Sequence, residues 1–153
     1  MKLSEILKQG DIVPELKSND KEGVLEELAE VVCGHNSLIV KEDLVDVLTE
    51  RERLGTTGIG DGVALPHGKI NNLKHPLISF GRSIQGVNFD SMDGQPVNIF
   101  FLLVAPENLS DVHLQILSRI ARILKHSTTR QRLREAQTRD DIYKIIIQFD
   151  ELS

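Results

Sequence analysis

The chain has 153 residues, 40% apolar and 27% charged, and a net charge of −5. This fits one domain, residues 1–153, with enough apolar side chains for a full core. With no Trp and only 4% aromatics, it lacks stacking platforms for single-stranded nucleic acid, and its acidic balance opposes nucleic-acid binding in general. The single cysteine, Cys33, excludes an intramolecular disulfide and suits a reducing compartment. No apolar run is long enough to cross a bilayer, so the expected location is the cytoplasm, without membrane insertion.

In chain order, Ser18 or Asn19 is placed to cap a helix with Val24, Leu25, Leu28, Val31 and Val32 on its apolar side, ending near Gly34. A second helix is expected from Glu42 to about Leu54, with Leu44, Val47 and Leu48 inward. A glycine-rich loop follows, then Val63-Ala64-Leu65 as a short strand. Leu77 to Ile84 and Val97 to Val104 read as longer strands; the second is almost wholly apolar, as expected of a strand buried on both faces. Asp93-Gly94 marks a turn between Phe89 and Val97. A helix beginning at Ser110 or Asp111 carries Leu117, Ile120, Ile123 and Leu124. Thr128 with Gln131, and Thr138 with Asp141, suggest capping boxes for two further helices. The last shows an apolar stripe of Ile142, Ile145, Ile146 and Phe149. The fold class is α/β, a single domain with a mixed sheet flanked by helices on both faces; strand order is not readable from these patterns.

The most informative stretch is Gly58 to Lys69, Gly-Ile-Gly-Asp-Gly-Val-Ala-Leu-Pro-His-Gly-Lys. Pro66 favours an extended Leu65, and Gly68 permits a sharp turn or a close backbone approach. His67 is therefore expected on a stiff turn at a strand end, where a second molecule can reach it. With an ordinary pKa of about 6.5, an imidazole has a large neutral fraction at pH 7, and its free ring nitrogen is then a nucleophile. His113 shares a helical face with apolar Leu117, Ile120 and Leu124, so it is expected to point inward from the first turn of its helix. Arg51 lies near the end of the second helix, shortly before the glycine loop.

The run Glu50-Arg51-Glu52-Arg53-Leu54, followed by Thr57-Gly58-Ile59-Gly60-Asp61-Gly62-Val63-Ala64-Leu65-Pro66-His67-Gly68-Lys69, resembles the phosphorylation-site signature of enzyme IIA domains. These are the fructose/mannitol-type (type 2) components of the phosphoenolpyruvate-dependent phosphotransferase system. Gln95-Pro96-Val97 before an apolar strand and Val112-His113-Leu114 opening a helix extend the match to roughly Leu3–Phe149. Pro-His-Gly-Lys and Arg132-Leu133-Arg134-Glu135-Ala136-Gln137 make the chain most similar to the nitrogen-regulatory branch, IIA-Ntr.

The resemblance implies that His67 is phosphorylated by a histidine phosphocarrier protein, HPr or its nitrogen-branch paralogue NPr. It implies that His113 hydrogen-bonds the phosphoryl group and that Arg51 stabilises its charge. Thr57, Gly58, Gly60, Gly62, Gly68 and Lys69 are the further candidates for binding the phosphoryl group or its donor. The expected output is phosphorylation-dependent signalling to a regulatory target. The alternatives are a sugar-specific subunit passing phosphate to a IIB component, and an interaction module that takes no phosphate. A weak homodimer is compatible with the sequence.

Other features carry less. Gly58-x-Gly60-x-Gly62 lacks dinucleotide-fingerprint spacing and no Walker-type motif occurs, so no cofactor is expected. Asp90-x-x-Asp93-Gly94 reads as a plain turn, not a calcium loop. The Cys and His residues show no standard zinc spacing, although a His67–His113 pair could take up a metal adventitiously. Cys33 is expected to fill core space, and His35, His75 and His126 to be solvated. Residues 1–50 hold twelve acids against five Lys, whereas 119–139 hold seven Lys/Arg against Glu135 alone. Solvated helix faces explain both; a docking surface for an acidic partner is the alternative for the basic stretch.

Overall fold

The computed structural model of the chain describes residues 1–34 and 36–152. Its strands are β1 (Ile12–Val13), β2 (Gly58–Gly60), β3 (Val63–Ala64), β4 (His67–Ile70), β5 (Leu77–Val87) and β6 (Val97–Pro106). Its α-helices are α1 (Lys21–Gly34), α2 (Lys41–Arg53), α3 (Ser110–Leu124), α4 (Ser127–Glu135) and α5 (Arg139–Leu152), with two short 3-10 turns before β1. The sheet runs β1-β5-β6-β3-β2, and β4 also pairs with β6.

The central strand is β6, as its continuous apolar run requires. Alternate side chains of β6 enter opposite layers. Ile99, Phe101 and Leu103 pack with α3, α4 and α5, while Phe100, Leu102 and Val104 pack with α1 and α2. The result is a three-layer α/β/α domain with a core on each face of a mixed sheet.

Residues 63–70 form one interrupted line beside β6. Val63 lies opposite Ile99 and His67 opposite Leu103, both in parallel register. Pro66, which has no N–H, sits at the break, and its carbonyl accepts the Leu103 N–H at 3.0 Å. His67 therefore opens a second strand instead of standing on a turn. Gly68 is extended within that strand; its missing Cβ admits α2, since a Cβ there would stand 2.7 Å from Val47 Cγ1.

Local caps differ from the sequence expectation in two places. Asp20, not Ser18 or Asn19, caps α1 by accepting the Gly23 N–H at 2.7 Å. Thr128 lies inside α4, whose N-cap is His126 with no side-chain cap bond, so that capping box does not form. Thr138 does cap α5, accepting the Asp141 N–H at 3.1 Å. Cys33 packs partly buried against the α1/α2 core, His75 and His126 are exposed, and His35 lies outside the described residues.

Candidate functional site

A cleft of about 600 Å³ opens where α2, β4 and the start of α3 meet. It is lined by Val47, Glu50, Arg51 and Leu54 from α2 and the residue after it, by His67, Gly68 and Lys69 from β4, and by Ser110, His113, Leu114 and Leu117 from α3. The sheet puts His67 there because, among the described residues, β4 pairs with β6 alone, leaving its other edge open to the cleft.

His67 is half-buried, and each ring nitrogen has a defined partner. Nδ1 lies 2.8 Å from the Leu65 carbonyl oxygen, which only accepts, so Nδ1 carries the proton. Nε2 is left with its lone pair, toward which the Arg51 Nε–H donates at 3.3 Å. Arg51 is steadied by donating from Nη1 to the Gly55 carbonyl at 2.9 Å. Burial pushes the His67 pKa below its ordinary value, against the Leu65 hydrogen bond, which raises it; Arg51 lowers it further. The ring is therefore neutral at pH 7, with the Nε2 lone pair unprotonated.

His113 is 5% exposed and packs edge-on against His67, ring centroids 5.1 Å apart. Its pKa is lowered to about 4, chiefly by burial and then by the charges of His67 and Lys69. Its Nδ1 is buried without a hydrogen-bond partner among the described residues, a cost that an incoming polar group can relieve. Lys69 reaches across the cleft mouth to donate to Ser110 Oγ at 2.9 Å. Leu54 and Leu114, 82% and 64% exposed, give the rim an apolar character.

The structure thus brings His67, His113, Arg51, Gly68 and Lys69 together. Thr57 is buried away from the cleft lining, with its N–H and hydroxyl both given to Glu52. Gly58, Gly60 and Gly62 are also elsewhere. They form the β2–β3 hairpin, where Gly60 and Gly62 take positive φ angles of 100° and 76°. The Gly62 carbonyl accepts from Asn98 and Ile99. Ile99 lies four positions along β6 from the partner of His67, about 13 Å at the usual strand rise. These glycines lie outside the cleft lining and shape the hairpin turn.

Sequence reasoning missed Glu52 and Ser110. Glu52 sits inside the very motif that singled out Arg51, and a carboxylate one residue from it was the available signal. The basic stretch 119–139 is largely engaged within the fold. Arg119 pairs with Asp150, Arg130 and Arg139 donate to backbone carbonyls, Arg134 donates to the Asp61 carbonyl, and Arg132 lies over the Phe149 ring. It is not an open docking surface of seven free cations.

The family model described as "Phosphoenolpyruvate-dependent sugar phosphotransferase system, EIIA 2" matches residues 5–149. The chain belongs to this family. A nitrogen regulatory protein of Bradyrhizobium diazoefficiens is 40% identical over 149 residues, 95% of either chain. The fructose-specific EIIABC component of Bacillus subtilis is 37% identical over 150 residues, 98% of this chain but 24% of that protein's length. The crystal structure of nitrogen regulatory protein IIA-Ntr from Neisseria meningitidis superposes with a TM-score of 0.88 at 33% identity, covering 94% of this chain and 98% of that one. This EIIA-type chain therefore has both regulatory and sugar-specific relatives, and its fold is that of IIA-Ntr. Among the described residues, no helix is long and apolar enough to cross a membrane.

Proposed function

We propose that this EIIA-type chain is a cytoplasmic phosphoryl carrier of the nitrogen-regulatory kind, taking the group on Nε2 of His67 from a phosphorylated histidine phosphocarrier, HPr or NPr. The observation that carries the reading is the pair of contacts on His67: Nδ1–H is committed to the Leu65 carbonyl, and the Nε2 lone pair faces the cleft. The lone pair forms the new N–P bond as the donor's N–P bond breaks, and the donor ring recovers its electron pair. Positive charge building on the His67 ring is spread through Nδ1–H to Leu65. Arg51 leaves Nε2 and turns its N–H groups to the equatorial oxygens, where charge-assisted bonds are strongest. His113, neutral and adjacent, gives an N–H to the same group.

The test is intact-mass spectrometry at neutral to basic pH after incubation with phosphoenolpyruvate, enzyme I and a phosphocarrier. One acid-labile phosphoryl adduct of about 80 Da is expected on wild type and none on His67→Ala. Absence of the adduct from wild type with both HPr and NPr defeats the carrier reading in favour of an interaction module. The relative whose name joins EIIA to B and C parts favours a second reading, transfer onward to a IIB component. Loss of the adduct on adding a sugar-specific IIB protein would support it.

A further inference from the structure

Glu52 is almost fully buried directly behind the cleft, yet none of the roles assigned above uses it. Its carboxylate takes three donors. Oε1 accepts the Thr57 N–H at 3.0 Å and the Lys21 ammonium at 3.0 Å, and Oε2 accepts the Thr57 hydroxyl. Lys21 is itself held over the Phe89 ring at 4.7 Å. This ties Thr57 to the end of α2, while the Gly55 N–H is held by the Glu52 backbone carbonyl at 3.2 Å.

Two hydrogen-bonded routes lead from these contacts to the two nitrogens of His67. The Thr57 carbonyl accepts the Leu65 N–H at 3.0 Å, and the Leu65 carbonyl accepts from His67 Nδ1. On the other side, the Gly55 carbonyl accepts from Arg51 Nη1, whose Nε–H points at His67 Nε2. The geometry points to Glu52 as a positioning residue that, through Thr57 and the 55–57 loop, sets both the tautomer of His67 and the placement of Arg51. Among the described residues no hydrogen bond joins Glu52 to His67; its charge alone reaches the ring directly, raising the His67 pKa against burial, and Thr57→Val tests positioning without removing that charge. Glu52 acts by holding the two carbonyls that hold the reactive pair. The kinetic part of this inference rests on the carrier reading of His67; the tautomer part does not.

The experiment uses the full chain and two near-isosteric variants, Glu52→Gln and Thr57→Val, with Thr57→Ser as the conservative control. Imidazole ¹⁵N resonances of His67 at pH 7.5 report the tautomer without any phosphoryl transfer. Single-turnover acceptance from phosphorylated HPr reports the rate. Wild type is expected to show one tautomer with Nδ1 protonated, and both variants a mixture. At saturating donor the variants should accept about ten- to a hundred-fold more slowly, with the apparent KM for donor nearly unchanged, as for misplacement of a reactive pair. Thr57→Ser should restore both signals. If Glu52→Gln fails to fold, Thr57→Val, which keeps side-chain shape and the backbone N–H, carries the test alone. A folded Thr57→Val with the wild-type tautomer and the wild-type saturated rate overturns the proposal. If wild type accepts no phosphoryl group, the carrier reading fails, while the ¹⁵N comparison still decides the positioning role.

Discussion

At neutral pH both cleft imidazoles are uncharged for the same leading reason, burial, and this has two separable consequences. For His67, the lowered pKa keeps the Nε2 lone pair available below the ordinary range. The acid limb of the phosphoryl-acceptance rate should therefore have its midpoint below pH 6.5, read by rapid-quench single turnovers across pH 4.5–8. A midpoint at or above 6.5 would show that burial does not govern this ring. For His113, the folded chain resists protonation until about pH 4, whereas the unfolded chain takes up a proton near 6.5. Between those values the unfolded state binds more protons, so stability rises with pH across the window. The contribution of a neutral His113 is complete above pH 6.5 and is lost as pH falls to 4, an upper bound of about 3 kcal/mol for this buried group. Urea unfolding of wild type and His113→Gln at pH 4.5 and 7.5 should show a smaller pH difference in the variant. An equal difference would assign the effect to other groups.

The elements place these rings because α2 comes unusually close to β4. A Cβ on Gly68 would lie 2.7 Å from Val47 Cγ1 and 3.6 Å from Leu48 Cδ2, so Gly68→Ala must displace the Val47 side chain or the face of α2 that also carries Arg51. The overpacking should cost about 1–3 kcal/mol and slow phosphoryl acceptance, and Val47→Ala in the same chain should recover part of both. Additive losses in a double-mutant cycle would mean that the helix does not bear on Gly68. The same element shows what the sequence could and could not disclose. The apolar run Val97–Val104 announced a two-sided central strand, and the helical spacing of His113 with Leu117, Ile120 and Leu124 announced an inward histidine, which is 5% exposed in the fold. Strand β4 was hidden, because the four residues His-Gly-Lys-Ile carry no clear period and their pairing depends on β6, more than thirty residues away. The glycines before Val63 were legible as backbone freedom but not as its use. A positive φ serves a hairpin as well as a phosphate, and only the register along β6 separates the two.

At the scale of the whole molecule, the first and last turns of the chain are joined at one buried carboxylate. Asp150, 1% exposed near the end of α5, accepts the Leu3 N–H at 2.8 Å across 147 residues of sequence and pairs with Arg119 of α3. Leu3 and Leu7 are fully buried beside Ile142, Ile145 and Ile146, so this joint closes the α3–α5 core around the N-terminal turns. Removing the carboxylate leaves a half-buried guanidinium and a buried N–H without that acceptor, which for a broken pair of this kind costs about 3 kcal/mol. Stabilities of single domains are only about 5–15 kcal/mol, so the loss is a large share of the whole. The cleft, however, is built from α2, β4 and the first turns of α3, whereas Asp150 holds the Leu3 N–H and Arg119 further along α3. Asp150→Ala should therefore lower the urea midpoint in a single transition with an unchanged slope. Below its unfolding temperature it should keep a wild-type rate of phosphoryl acceptance. A biphasic transition would mean that the α3–α5 layer unfolds independently of the sheet. A stable variant with slowed acceptance would instead connect the terminal joint to the site through α3, the one helix they share.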